Sequence, residues 1–344
     1  MMRRLIAAGT VFALVGGALA GCGGEGDAEA KDLPAITVAF GGDVNFEGGL
    51  RDRLADPANA LGPISKWLGA ADLAVVNLET AVTEGGTPAA KQFTFRSPAT
   101  AFDALKGAGV DVASMANNHG MDYGPEGLRD SLAAAKEKGF PVVGIGADAA
   151  EAFRPHVAEV KGTKVAVFGA TQVLDDELAS AWTATDSQPG LASAKDPARL
   201  VEAVRKAKDD YDTVIVKLHW GVEKQSCPTD DQKTLADRLV EAGADAVVGS
   251  HAHVLQAGGF HPEKKDKYIH YGLGNFVFYS FTPGTPTSQS GVLVLTIKGH
   301  EVQNADWAPA VLEQPGLPRP LTGAEAQSAY TGWTALNGCA GLTQ

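Results

Sequence analysis

Apolar residues in this chain fall in short runs, and between the runs they recur with helical spacing. Segments 36–40, 73–76, 110–115, 142–145, 164–168, 213–218, 246–249 and 267–271 each read as a strand, and 291–297 as a late antiparallel one. Segments 99–107, 125–138, 194–208 and 229–242 read as helices. Pro125 suits a first helical turn, and Leu235, Leu239 and Ala242 recur along one helical face. Strand and helix alternating in this order predict an α/β fold with a mostly parallel sheet covered on both faces. The long insertions 83–97 and 171–197 are expected to lie as loops over one end of it. Residues 301–344 are weakly patterned and predict a C-terminal extension.

The polar residues that interrupt this pattern are not scattered. Asp43, Asn77, Glu79, Asn118, His119, His219, His251 and His253 each follow closely on the C-terminal end of an expected strand. In open α/β sheets those ends share one edge, where ligands bind. Carboxylate, amide oxygen and imidazole are the ligands of zinc, manganese or iron. In His251-Ala252-His253, alternate residues of an extended segment would point the same way. The remaining histidines, 156, 261, 270 and 300, lie away from these ends or inside a strand and carry no such expectation.

The N-terminus has a different character. Arg3 and Arg4 precede an apolar run from Leu5 to Leu19, and Leu19-Ala20-Gly21-Cys22 closes it. This is the pattern of a signal peptide (1–21) whose cleavage leaves Cys22 for lipidation, followed by a Gly- and acid-rich tether (22–34). The expectation is an extracytoplasmic lipoprotein held on a membrane by its acyl chains. Cleavage removes two arginines and no acid, taking the formal charge from −12 to −14. So acidic a chain does not suit nucleic acid, whose phosphates demand basic patches. Cys227 and Cys339 are left as a pair; a disulfide and two free thiols both remain open.

Several longer motifs sit on the same strand ends: Gly42-Asp43-Val44-Asn45, Asn77-Leu78-Glu79-Thr80, Phe95-Arg96-Ser97-Pro98, Ala116-Asn117-Asn118-His119, Asp122-Tyr123-Gly124, His219-Trp220-Gly221-Val222-Glu223, Gly249-Ser250-His251-Ala252-His253 and Tyr271-Gly272-Leu273-Gly274-Asn275-Phe276. In these the chain resembles the poly-gamma-glutamate capsule biosynthesis (CapA-type) family of the calcineurin-like metallophosphoesterases, over residues 35–300. The resemblance implies a four-layer α/β/β/α sandwich with two divalent metal ions. Asp43 and His253 would bind the first, Asn118, His219 and His251 the second, and Glu79 would bridge. His119 would be the general acid. Arg96, Asn45 and Asn77 would contact substrate, with Glu223 and Asn275 behind the ligands. The chain departs from relatives in three places: Asn45 replaces a histidine, Glu79 a bridging aspartate, and Ala252 the proline of His-Pro-His. Two cations against two carboxylates leave a positive centre that suits phosphate or carboxylate. Two functions are expected from this. One is a surface hydrolase of an anionic ester or amide, phosphoester or gamma-glutamyl. The other is a non-catalytic component that binds poly-gamma-glutamate beside polymer synthase subunits.

Overall fold

The structure, a computed structural model, describes residues 33–344; Cys22 and the expected signal segment lie outside the described residues. Two sheets face each other. The first has eight strands. Its order is Leu317–Pro320, Glu301–Glu313, Gln289–Lys298, Ile36–Val44, Leu73–Leu78, Val112–Ser114 and Val142–Val143, with Asn275–Val277 also paired to Ile36–Val44. The second has six strands, in the order Gly258–Phe260, Tyr268–His270, Ala246–Ser250, Thr213–His219, Thr163–Thr171 and His156–Val160. In the first sheet pairing is antiparallel from Leu317–Pro320 to Ile36–Val44 and parallel from there to Val142–Val143; in the second it is parallel through the middle and antiparallel at both edges.

The strands read as unbroken apolar runs because both faces of each sheet are covered. Along Ile36–Val44, Ala39 and Val44 pack towards Thr100–Gly107 and Gly124–Lys138, whereas Ile36, Val38 and Phe40 enter the layer between the sheets. Along Thr213–His219, Val214, Val216 and Leu218 face Ala198–Asp210 and Asp230–Ala242, while Ile215 points into that same layer. The result is helix, sheet, sheet, helix. The single sheet with helices on both faces, expected from the pattern of runs, is thus corrected: each sheet carries helices on one side and the other sheet on the other. The four-layer sandwich implied by the resemblance is the arrangement found.

Local signals set the boundaries. Thr229 caps Asp230–Ala242 through a reciprocal capping box with Gln232, and Gly243 ends it in a left-handed conformation (φ 115°). Segment 301–344 does more than extend the domain. Glu301–Glu313 pairs along Gln289–Lys298, Leu317–Pro320 adds the edge strand, and helix Gly323–Thr334 follows. Cys227 and Cys339 are joined in a disulfide, tying this tail to the loop after Thr213–His219.

One irregularity sets up the site. The register of Ile36–Val44 against Leu73–Leu78 shifts between Phe40 and Asp43. A Cβ on Gly42 would lie 2.0 Å from the Gly274 carbonyl oxygen, so only glycine lets the two chains pass this closely. The shift places Asp43 beside Asn77 on one side and Asn275 on the other.

Candidate metal centre

Both sheets end, at the same side of the sandwich, in the polar residues singled out above. Asp43, Asn77 and Glu79 come from the first sheet; His219, His251 and His253 come from the second. Residues 115–122 form the turn after Val112–Ser114. There Asn117 donates its amide to Leu78 O (2.9 Å) and Asn77 Oδ1 (3.2 Å), and its Oδ1 accepts the His119 N–H (3.0 Å). Asn77 in turn donates to Asp43 Oδ1 at 2.8 Å. Buried amides therefore cross-link the strand ends before any cation is considered.

Two groups of donor atoms converge. Glu79, His219 and His251 place one atom each within 4.8 Å of one another, and so do Asp43, Glu79 and His253. Glu79 is common to both. Its Oε1 lies 3.8 Å from His219 Nε2, 3.8 Å from His253 Nε2 and 3.9 Å from His119 Nε2. Asn118 Oδ1 lies 2.8 Å from His219 Nε2. His253 Nδ1 faces Asn275 Oδ1 at 2.8 Å; an amide oxygen only accepts, so the ring proton sits on Nδ1 and Nε2 is left free towards Glu79.

The electrostatics suit a cation. Burial, and then the charge of Asp43, hold the Glu79 carboxyl well above its usual range. Burial depresses two of these histidines, His219 well below its ordinary value and His251 to about 3. Neutral imidazole is the form that binds metal. Glu79 Oε1 and His251 Nδ1 are buried without a hydrogen-bond partner. An orphaned carboxylate oxygen amid imidazole nitrogens is costly unless a cation sits there. By this test the residues fit two divalent ions of the manganese, zinc or iron kind.

His251 and His253 differ from the expectation. Both have positive φ (97° and 53°), so the segment is folded, not extended. Consequently the two rings go to different groups, His251 with His219 and His253 with Asp43. Non-glycine residues seldom hold such angles without compensation. Here the His251 N–H donates to Asp43 Oδ2 (3.2 Å), and the intervening Ala252 O accepts the Lys224 N–H (2.7 Å).

The other expected residues occupy varied places. His119 is buried; its Nδ1 is 2.6 Å from Asp122 Oδ2 and its ring stacks on Phe95 with centroids 3.9 Å apart. Asn77 lies under the ligands, and Asn45 is fully buried with its amide nitrogen unpartnered. Arg96 is exposed, its guanidinium 5.0 Å from the Tyr123 ring centre. Glu223 is exposed and lines the adjoining cleft with His119 and His253, near enough for its charge to act on Glu79.

Four further residues shape the site: Lys91 and Lys217, which the sequence did not single out, and Asn117 and Asp122, which stood in its motifs without a role. Asp122 holds His119 and also accepts the Phe95 N–H (2.6 Å). Lys91 pairs with Asp122 Oδ1 at 3.0 Å. Asn117 braces the turn. Lys217 is fully buried between the sheets and donates to Ser250 Oγ (2.5 Å); burial brings it down to about 8 against the opposing pull of Asp43 and Glu79. Lys217 had a signal: it breaks an apolar run at an inward position. Lys91 had none, because it reaches the site from inside a loop.

The fold and the shared carboxylate between two ligand groups define the class as a calcineurin-like metallophosphoesterase fold. A solved structure described as a novel phosphatase from Mycoplasma pneumoniae aligns with a TM-score of 0.50 at 18% identity, covering 81% of this chain and 94% of that one, and supports the fold. Residues 37–280 match the family described as bacterial capsule synthesis protein PGA_cap. The chain belongs to that family, the CapA type. It is 36% identical over 225 residues to the capsule biosynthesis protein CapA of Bacillus anthracis, a match covering 64% of this chain and 52% of the relative. To the PGA biosynthesis protein CapA of Bacillus subtilis it is 34% identical over 212 residues, covering 61% and 54%. The chain thus spans about half the length of the curated relatives it matches.

Proposed function

We propose that this protein is a metal-dependent hydrolase of an anionic ester or amide, phosphoester or gamma-glutamyl, serving capsule or poly-gamma-glutamate synthesis. The supporting observation is Glu79 Oε1, unpartnered, shared between two ligand groups and 3.9 Å from His119 Nε2. Asp43 and His253 would hold one divalent ion, Asn118, His219 and His251 the other, with Glu79 bridging. Bound there, such a pair supplies Lewis acidity and lowers the pKa of a water. The chain does the rest. An ionised Asp122 only accepts hydrogen bonds, so it keeps the Nδ1 proton on His119 and aims Nε2 at the reacting group. Lys91 neutralises Asp122, and Phe95 covers the His119 ring and keeps water off it. To act as the acid, His119 must first take a second proton from water onto Nε2, against the lowering of its pKa by burial; the Asp122 carboxylate stabilises that imidazolium, and Nε2 then gives the proton to the leaving atom and returns to the neutral ring.

In this reading Cys22 carries the lipid that holds the protein outside the cytoplasm, near polymer synthase subunits. The names of the relatives support the link to capsule and PGA synthesis. Asn45, standing where relatives in the superfamily carry a histidine, favours a second reading: a polymer-binding component without turnover. Metal content of the purified protein, with turnover of a generic phosphodiester and of poly-gamma-glutamate by wild type and His119→Ala, separates them. Bound metal with His119-dependent turnover supports the hydrolase. Bound metal with no such turnover on either substrate supports the binding component.

A further inference from the structure

Beside the ligand groups lies a cleft of about 250 Å3. His119 and His253 form its floor. Its walls are aromatic: Phe95 stacks on His119, the Phe278 ring centre is 4.8 Å from that of His253, and Phe93 stands 54% exposed at the rim. Phe93 thus leaves an aromatic face open to the cleft. At the mouth, Glu223 and Lys224 are adjacent and exposed. Among the described residues neither side-chain charge has a hydrogen-bond or ion-pair partner. Lys224 is also in the left-handed region (φ 63°), a conformation unfavourable to lysine, and its N–H is tied to Ala252 O between the two metal-group histidines. The backbone is thus constrained to bring Lys224 next to the centre.

We propose that this cleft is a subsite for the part of the substrate beyond the scissile bond. It takes an N-acylated amino acid unit: an apolar stem between the aromatic walls, a carboxylate paired with Lys224, and the neighbouring amide N–H donated to Glu223. The adjacent opposite charges select against a plain anion, which Glu223 repels, and for a unit offering both an acceptor and a donor on neighbouring atoms. The inference rests on the adjoining centre being the reaction site.

Two measurements on the full chain keep the two claims apart. Methylphosphonate titrated into manganese-loaded and metal-free protein reports on the centre: binding that depends on manganese upholds it, and its absence defeats the metal reading. Ligand-observed NMR on metal-free protein reports on the subsite, with N-acetylphenylalanine and N-acetylphenethylamine, which lacks the carboxylate, as probes. Wild type should bind the acid about tenfold more tightly than the amine derivative, the equivalent of one ion-pair-strength contact. Lys224→Met should abolish that preference and Lys224→Arg restore it, while Phe93→Ala weakens both probes. Equal binding of the two probes by wild type, or a preference that survives Lys224→Met, overturns the subsite whatever the phosphonate result.

Discussion

Replacing Glu79 by glutamine should change the sign of its effect on stability with the metal. Without metal, the carboxylate is fully buried, close to Asp43, and its Oε1 has no partner. Leaving such a group unsatisfied costs about 1–3 kcal/mol. The linkage has a definite direction. The folded-state pKa of Glu79 lies above its ordinary 4.5, so the unfolded chain loses this proton first. Its contribution to stability is therefore intact below pH 4.5 and is lost as pH rises to the folded-state value, by about 1.4 kcal/mol per unit inside that window. Glu79→Gln abolishes this slope. In EDTA at pH 7.5 the variant should be the more stable by about 1–3 kcal/mol, or roughly 1.5–4 °C in Tm for a chain of this size. Manganese at a thousand times its Kd should stabilise wild type by about 4.1 kcal/mol and the variant by less than about 1 kcal/mol, reversing the order. Thermal denaturation of both proteins in EDTA and in manganese is the assay. If the variant is less stable in EDTA, or gains as much from manganese as wild type, the reasoning is refuted.

Other expectations follow from individual contacts. Asp122→Asn, which keeps an acceptor oxygen for His119 but removes the charge that Lys91 balances and that stabilises a protonated ring, should lower turnover about 10- to 100-fold while metal content stays unchanged. His270 is fully buried between Trp307 and Trp333, with neither ring nitrogen hydrogen-bonded, and burial pushes it down to about 3. Because the unfolded chain protonates this ring at about 6.5, its share of stability is present above that pH and lost on acidification towards 3, at about 1.4 kcal/mol per unit. His270→Phe should therefore stabilise the protein more at pH 5 than at pH 8 in denaturant titrations; an equal effect at both would contradict the assignment. Cys339→Ser opens a link between residues 112 positions apart and should cost about 2–5 kcal/mol in the same assay.

The parallel strands were legible because both faces of each sheet are buried, which turns them into apolar runs that the sequence displays openly. The convergence of Asp43, Glu79, His219, His251 and His253 was legible for a related reason: each stands where an apolar run closes, and those ends meet at one edge. Edge strands were harder. Glu301–Glu313 alternates buried and exposed residues and carries Asn304, Asp306 and Pro309, so its pattern is diluted by solvent on one side. His156–Val160 is only partly buried along its length and was passed over for the same reason. The directions of His251 and His253 differ from the expectation because their backbone angles depend on hydrogen bonds to the Asp43 carboxylate and from the Lys224 N–H, both remote in sequence. Asp122 shows the same limit: a carboxylate three residues after a histidine is common, and only the turn braced by Asn117 makes it a partner of His119.

The central claim is that Glu79 bridges two ions. Crystals of the protein soaked in manganese and measured at the manganese edge test it most directly. The account predicts two anomalous peaks roughly 3.5–4 Å apart, one beside Asp43 and His253 and one beside His219 and His251, with the Glu79 carboxylate reaching both. A single peak with Glu79 turned away, or no peak within reach of these side chains, would contradict it.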